Sequence, residues 1–412
     1  KKDATLYATG EGVWGIAMGL IAPLTVFPLL LRHLGAGAME LGLLHSIATG
    51  GFLLTQPLGM LYRTRGRTRK RFLLLFMSAV TLPAWATVGA IVLWLGPREE
   101  IHRTVRILIL AVFAARTLAV GGIVPLWQDW LAGLFTTTSR GRAVGLYSAT
   151  SAIGVTVGAL VASAGRAGPR CPLNYALLFG IATVLFGCSF GPFALVSAGE
   201  ETERNLPRPT LKDLWHQFIR SLEEKNYRRY LGGRVILTMG GTATAFLAVH
   251  FRSRQGGDLS EALIIGLGAW LTIPQAIASY WLDKLGDSQG HRTGVLIGAG
   301  AQVLAIAFAV SGGGWIICSL SFAMLGVAIA AGWVSHQNMI YETCSHDNLV
   351  AHITLSNLII GPVVMLFPLG LGRFIDTFGM IPGLLTCLLL SLLGAVWMVF
   401  LVREPRQVVL SH

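Results

Sequence analysis

The chain has few charged residues. Only 13% of its 412 residues are Asp, Glu, Lys or Arg, whereas about 25% is usual in a soluble domain. In contrast, 53% of the residues are hydrophobic and the mean hydropathy is +0.64. There are too few polar side chains to cover a water-soluble surface of this size. The composition therefore excludes an ordinary soluble protein and predicts a chain that lies in a membrane.

Several kinds of chemical site are missing from the sequence. The five cysteines show no Cys-x-x-Cys spacing, so neither a zinc site nor a disulfide framework is expected. There is no Gly-x-x-x-x-Gly-Lys-Ser/Thr loop to hold ATP phosphates, and no His-Glu-x-x-His or paired catalytic constellation. We therefore expect no enzyme, no ATP-driven pump, no cofactor and no metal.

The hydrophobic residues form twelve blocks, the first at about 5–31 and the last at about 381–402. Each is close to the ~20 residues that a helix needs to cross a ~30 Å hydrocarbon core. Most of the 32 lysines and arginines fall in alternate loops, so the net charge of +12 reflects membrane topology rather than a nucleic-acid surface. The sequence predicts an all-α integral protein of the cytoplasmic membrane, with both termini in the cytoplasm and no nucleic-acid partner.

The two halves of the chain repeat one plan. Tyr7 and Glu11 correspond to Tyr230 and Arg234, and later in each half Asp129 corresponds to His336. A repeat of this length in a membrane chain indicates two six-helix bundles that rock around a central site. This pattern is typical of a transporter.

The predicted domains are an N-terminal bundle at 1–198, a cytoplasmic linker at 199–229 and a C-terminal bundle at 230–412. Within the linker, apolar residues from Leu211 to Leu222 recur at helical spacing, with charged residues opposite. This predicts an amphipathic helix. Two placements stand: along the inner membrane surface, or packed onto the cytoplasmic ends of the bundles.

A basic hairpin and two sets of glycines show a further pattern. The hairpin between the second and third blocks carries Gly59, Arg63, Gly66 and Arg67. Its counterpart in the second half carries Asp283, Lys284 and Gly286. The fifth block carries Gly145, Gly154 and Gly158, and the eleventh block carries Gly361 and Pro362. In these motifs the chain resembles the major facilitator superfamily, whose hairpin reads Gly-x-x-x-Asp-Arg/Lys-x-Gly-Arg-Arg/Lys. Arg63 occupies the family's acidic position, and Val155 its usual proline in helix five.

The resemblance implies two pseudo-symmetric six-helix bundles that carry a small solute by alternating access. It also implies that the hairpin residues and Asp129 act in gating. The other interpretation is that the basic residues only fix topology and that Asp129 is a solvated helix end. Glycines three or four residues apart allow close packing of helices in lipid.

Polar residues inside the apolar blocks are the candidates for the transport path, because a charge at the centre of a membrane helix costs ~2.5–3.5 kcal/mol on insertion scales. They are Glu11, Trp14, Arg116, Arg234, His336, Gln337 and Asn338. Glu11 can load and release a proton, or it can be a structural acid. Arg116 lies too deep to reach the headgroups, and its helix and depth are similar to those of the family's mid-membrane arginine. Arg234 either pairs with Glu11 or extends to the headgroups.

His336 has a side chain that ordinarily titrates near neutrality. Trp14 can line the cavity or simply pack, and Gln337 and Asn338 can bond to solute or across helices. We therefore expect a secondary transporter for a small organic solute, driven by protons or another ion, monomeric in the lipid bilayer. Alternatives are a proton-coupled multidrug-type efflux antiporter and, in another class, a lipid flippase or scramblase, or a non-transporting sensor or assembly partner.

Overall fold

The structure, a computed structural model, describes residues 2–59, 66–135, 137–165, 172–197, 219, 222–342 and 349–405. Within these ranges all regular structure is helical. The helices are α1 (Lys2–Leu20), α2 (Val26–His33), α3 (Ala38–His45), α4 (Phe52–Gly59), α5 (Gly66–Trp94), α6 (His102–Leu134), α7 (Thr137–Ala164), α8 (Leu173–Leu195), α9 (Lys225–Gly241), α10 (Leu247–Arg252), α11 (Glu261–Trp270), α12 (Thr272–Gln289), α13 (His291–Ser311), α14 (Trp315–Trp333), α15 (Ser335–Glu342), α16 (Leu349–Phe378) and α17 (Met380–Leu401).

Eleven helical stretches in the described residues are long and apolar enough to cross a membrane. The first begins at Ala38, so α1 and α2 form a further stretch before it. This stretch carries the charged residues Lys2, Asp3 and Glu11. The total fits the twelve blocks predicted from the sequence, and the predicted all-helical membrane fold is confirmed.

The first membrane stretch of each half is broken. The helical path stops at Leu20 and resumes at Val26, and in the second half it passes through a 3₁₀ turn at Thr242–Ala245 before α10. The prediction of one continuous span over 5–31 was therefore wrong. Pro23 lies inside the first break, where its ring and missing N–H disfavour a continuing helix. Broken helices at equivalent positions of two repeats are where transporters commonly bind their solutes.

A π turn interrupts the second membrane stretch. It covers Ser46–Gly51, between α3 and α4. A Cβ added at Gly51, the last residue of this turn, would lie 3.3 Å from the Leu118 side chain, and the backbone of the following residue, Phe52, packs against Gly121 of α6. Because π turns often occur at functional sites, this irregularity marks the stretch of α6 that follows Arg116.

The contacts of the chain define two compact units. The first comprises Lys1–Arg204 with Leu259–Ala269, and the second comprises Asn205–Asp258 with Trp270–His412. The repeat did not predict that 259–269 would join the first unit. Ser163 Oγ donates a hydrogen bond of 2.6 Å to the Ala262 carbonyl, and Gly268 packs closely on Thr25. The predicted boundaries stay a prediction, because most of 199–229, including most of the amphipathic stretch, lies outside the described residues.

In the first unit, α1 packs closely on α7. A Cβ at Gly154 would collide with the Gly12 carbonyl oxygen, and one at Gly158 would collide with the Ile16 carbonyl oxygen. Both glycines thus allow the two backbones to touch. Gly145 is exposed, and no described atom lies within 4 Å of the position that its Cβ would take. A role of Gly145 in helix packing stays a prediction.

Candidate functional site

Glu11 lies half-buried on α1, one turn after Tyr7. The Tyr7 hydroxyl accepts a 2.8 Å hydrogen bond from Trp127 Nε1 of α6 and interacts with the Glu11 carboxyl group. The Tyr7 ring is 2% exposed and packs at 5.1 Å from both Tyr147 and Phe193, measured between ring centroids. Tyr7 thus joins α1 to α6 beside the carboxyl group of Glu11.

The chemistry open to Glu11 follows from its neighbours. Among the described residues of the first unit, no lysine or arginine forms an ion pair with it. A carboxyl group held by a neutral hydroxyl can exist in either protonation state, whereas a close cation would fix it as carboxylate. The described neighbours of Glu11 are therefore compatible with both protonation states of its carboxyl group.

Arg116 of α6 lies against Trp85 of α5. Its guanidinium carbon is 5.0 Å from the centroid of the Trp85 ring, a cation–π contact. The Nε atom of Arg116 and the Nε1 atom of Trp85 are both buried, and neither has a hydrogen-bond partner among the described residues. Because buried donors in proteins are nearly always paired, these two N–H groups are an exception among the described residues.

An aromatic cluster surrounds Trp85. Its ring contacts those of Phe27, Phe113, Phe179 and Phe186, with centroids 5.7 to 6.4 Å apart. Trp14 of α1 extends the cluster, with its ring centroid 4.5 Å from that of Phe186. Trp14 is half-buried, so the structure shows it packing in this cluster.

The second unit has a polar cluster at the equivalent place. The Tyr230 hydroxyl lies 2.9 Å from His336 Nδ1 and 3.0 Å from the His336 carbonyl oxygen. Arg234, one turn after Tyr230 on α9, interacts with the same hydroxyl, and its Nη1 donates 2.9 Å to Ser356 Oγ of α16. The structure thus brings Arg234 and His336 together through Tyr230.

The two clusters follow one plan with opposite charges. In each unit a buried tyrosine lies one turn before a charged residue and bonds to a residue of the fourth membrane stretch of that half. Sequence reasoning found the charged residues but gave the tyrosines no role. The matching positions of Tyr7 and Tyr230 in the repeat were the signal that could have found them.

The other predicted residues are less constrained. Gln337 and Asn338 are half-buried beside His336 on α15. Asp129 belongs to α6, but its side chain is not among those described. Gly361 is buried, and Pro362 is exposed within α16. In the part of the chain that the structure describes, no group of His, Cys, Asp and Glu could hold a metal ion.

The first basic hairpin is only partly described. Gly59 ends α4 and Gly66 begins α5, whereas Arg63 lies outside the described residues and the Arg67 side chain is not described. Beyond the hairpin, Lys70 donates to the Ala194 carbonyl at 2.6 Å, at the carboxyl end of α8. A cation there complements the helix dipole.

The second hairpin, at residues 279–286, was predicted to interrupt the helices. In the structure α12 continues through it to Gln289, and the chain turns only at Gly290, where φ is 89°. Asp283 and Lys284 are exposed on α12, and Gly286 packs against the ring of His291. Glu404 instead accepts a 3.0 Å hydrogen bond from the Arg292 N–H, at the start of α13. Sequence reasoning missed Glu404, which lies far away in the chain.

Comparisons with known proteins agree with this architecture. The sequence profile described as Major Facilitator Superfamily matches residues 12–289. A comparison with curated protein sequences gives no match. A crystal structure of a mutant nucleoside transporter NupG is similar to the chain with a TM-score of 0.74 and 10% identity, and the alignment covers 97% of each.

Two further solved structures are similar. A D-xylose-proton symporter aligns with a TM-score of 0.71 and 14% identity over 98% of each chain. A bacterial homologue of the human lysosomal transporter Spinster, in an inward-facing and occupied conformation, aligns with a TM-score of 0.66 and 12% identity over 97% of this chain and 95% of its own. At these identities the similarity establishes the fold and leaves the solute open. The profile match confirms the resemblance seen in the motifs: the chain belongs to the major facilitator superfamily of membrane transporters.

Proposed function

We propose that the protein is a secondary active transporter that moves a small organic solute by alternating access and couples this movement to protons through Glu11. The observation that carries the proposal is the surroundings of Glu11. Its carboxyl group lies in a broken membrane stretch, interacts with the neutral Tyr7 hydroxyl, and has no ion pair among the described residues of its unit.

Arg116 and Arg234 supply positive charge to the solute path. Both side chains are half-buried in membrane helices, and the buried Nε of Arg116 has no hydrogen-bond partner among the described residues. Arg116 and Arg234 outnumber Glu11 among the candidate residues of the path, and this excess of positive charge favours a solute with an anionic group. His336, Gln337 and Asn338 contribute polar side chains beside Arg234.

We place the protein in the cytoplasmic membrane with both termini in the cytoplasm. The support is the sequence pattern, in which lysine and arginine gather in alternate loops and most strongly in the first hairpin and the 199–229 linker. The hairpin carries this charge at Arg65, Arg67, Arg69, Lys70 and Arg71 as well as at Arg63.

The test is solute-driven proton movement in proteoliposomes that contain a pH-sensitive dye. The solute panel includes nucleosides and pentoses, because the similar structures are named as a nucleoside transporter and a D-xylose-proton symporter. It also includes organic anions, because Arg116 and Arg234 favour an anionic group. We expect one class to change the internal pH, with no change in protein-free liposomes. Solute flux that leaves the internal pH constant would contradict proton coupling, and the absence of flux for every class would contradict transport.

A further inference from the structure

The first observation is an unbalanced charge in the second unit. Arg234 has two neutral partners, the Ser356 hydroxyl at 2.9 Å and the hydroxyl of Tyr230. Among the described residues of this unit, no carboxylate forms an ion pair with it. A guanidinium group within a membrane helix normally has an anionic or carbonyl partner. An anionic ligand group would supply the missing charge.

The second observation is an apolar groove on the same pair of helices, α9 and α16. Its cavity has a volume of about 440 Å³, within the range of small-molecule sites. The groove is lined by Met239, Pro362, Val363, Leu366, Phe367, Gly370 and Leu371. Leu366 is 63% exposed, and a Cβ at Gly370 would meet no described atom within 4 Å. Every lining residue is apolar, so the groove suits a hydrocarbon chain.

The charge and the groove share one stripe of α16. Ser356 is followed by Val363, Phe367 and Gly370 at i+7, i+11 and i+14, spacings that fall on one face of a helix. At 1.5 Å per residue, Val363 lies about 10 Å and Phe367 about 16 Å along the helix from Ser356. An alkyl chain whose headgroup binds at Arg234 and Ser356 is therefore long enough to reach into the groove.

We propose that the second unit binds a single-chain anionic amphiphile, with its carboxylate or phosphate monoester at Arg234 and its alkyl chain in the groove. The proposal rests on the proposed function only where it identifies the bound amphiphile with the transported solute. Binding itself is an equilibrium property and can be measured without transport.

The experiment uses dodecyl phosphate with a photoreactive diazirine at the end of its chain. The full-length protein is placed in phosphatidylcholine nanodiscs, irradiated with the probe and digested, and the adducts are located by mass spectrometry. We expect adducts on Met239, Leu366 and Phe367, and we expect excess unlabelled dodecyl phosphate to remove them. The same chain on a phosphocholine head, which has no net charge, should label these residues much less.

Variants test the place of the headgroup. Arg234→Gln should reduce labelling of the groove about tenfold or more, because a charge-assisted hydrogen bond is lost, and Arg234→Lys should retain most of it. The matched control is Arg373→Gln, which removes the exposed arginine just beyond the other end of the groove and should change little. The comparison of headgroups uses the unmodified protein, so the proposal remains testable if Arg234→Gln does not fold.

Three results would overturn the proposal. One is labelling of Leu389 and Phe400 of α17, which lie outside the groove and are 67% and 78% exposed, as strong as that of the groove. The second is equal labelling by the phosphocholine probe. The third is dependence on Arg373 instead of Arg234, which would place the head at the opposite end. Saturable labelling without any transport would leave the binding site standing and contradict only the proposed function.

Discussion

At the scale of single residues, the site is organised by two tyrosines. Tyr7 is 2% exposed and Tyr230 is 0% exposed. Each hydroxyl makes hydrogen bonds to a different helix and also interacts with the charged side chain one turn further on. The charged residue is acidic in the first unit and basic in the second. The same local framework therefore holds a group that can exchange a proton in one half and a permanent cation in the other.

We predict that Tyr7→Phe destabilises the first unit. Removal of the hydroxyl leaves the Trp127 N–H without its 2.8 Å acceptor, and a buried donor that loses its partner costs about 1–3 kcal/mol. The matched control is Tyr147→Phe, in the adjacent ring 5.1 Å away, where the described residues show no hydrogen bond to the hydroxyl. Thermal unfolding of both purified variants measures the difference. Equal stability of the two variants would show that the Tyr7–Trp127 hydrogen bond does not stabilise the first unit.

The sequence could identify the charged residues of the site and could not identify their surroundings. Glu11, Arg116, Arg234 and His336 stand out because charged and titratable side chains are rare in apolar blocks. The contact of Arg116 with Trp85 joins the neighbouring helices α6 and α5, and the bond of Arg234 to Ser356 joins α9 to α16, which is far away in the sequence. Such pairings depend on how the helices pack, which neither periodicity nor composition specifies.

At the scale of helices, close backbone contact between α1 and α7 holds the broken first stretch in place. Gly154 and Gly158 lie against the carbonyl oxygens of Gly12 and Ile16. In lipid, where the hydrophobic effect between helices is weak, such packing supplies much of the association. Glu11 precedes Gly12 directly, so this contact also fixes the depth at which the carboxyl group lies.

Gly154→Ala should therefore destabilise the protein by about 1–3 kcal/mol, the usual cost of overpacking. The added methyl group would collide with the Gly12 carbonyl oxygen. Gly145→Ala is the control on the same helix, where the methyl group meets open space and should stabilise the helix by about 0.5–1 kcal/mol. Unfolding temperatures in one detergent give the comparison. A Gly154→Ala protein as stable as Gly145→Ala would contradict the close packing of α1 on α7.

Helix positions could be predicted well from the sequence, and helix irregularities could not. Block length alone places most membrane stretches, because a helix must span the hydrocarbon core. The break near Pro23, the π turn at Ser46–Gly51 and the continuation of α12 to Gln289 were not predicted. Glycine-rich and proline-containing stretches permit several backbone paths, and tertiary contacts such as that of Phe52 with Gly121 decide between them.

At the scale of the whole molecule, the repeat predicted a two-fold plan, and the structure and the family profile agree with that plan. The repeat placed Leu259–Ala269 with the second half, whereas its contacts put it with the first unit. A segment that leaves its own half to pack against the other cannot be identified from internal symmetry. The solute could not be predicted either, because fold and family are shared by transporters of different solutes.

The central claim is that protonation of Glu11 couples solute movement to the proton gradient. Glu11→Gln keeps the size and hydrogen bonding of the side chain and removes its titration, and Glu11→Asp retains a titratable carboxyl group as the control. The measurement compares two modes of transport in proteoliposomes: accumulation driven by a pH gradient, and exchange of labelled for unlabelled solute without one. We predict that Glu11→Gln abolishes accumulation and preserves exchange, and that Glu11→Asp retains both. Accumulation by Glu11→Gln with an unchanged dependence on pH would contradict the account.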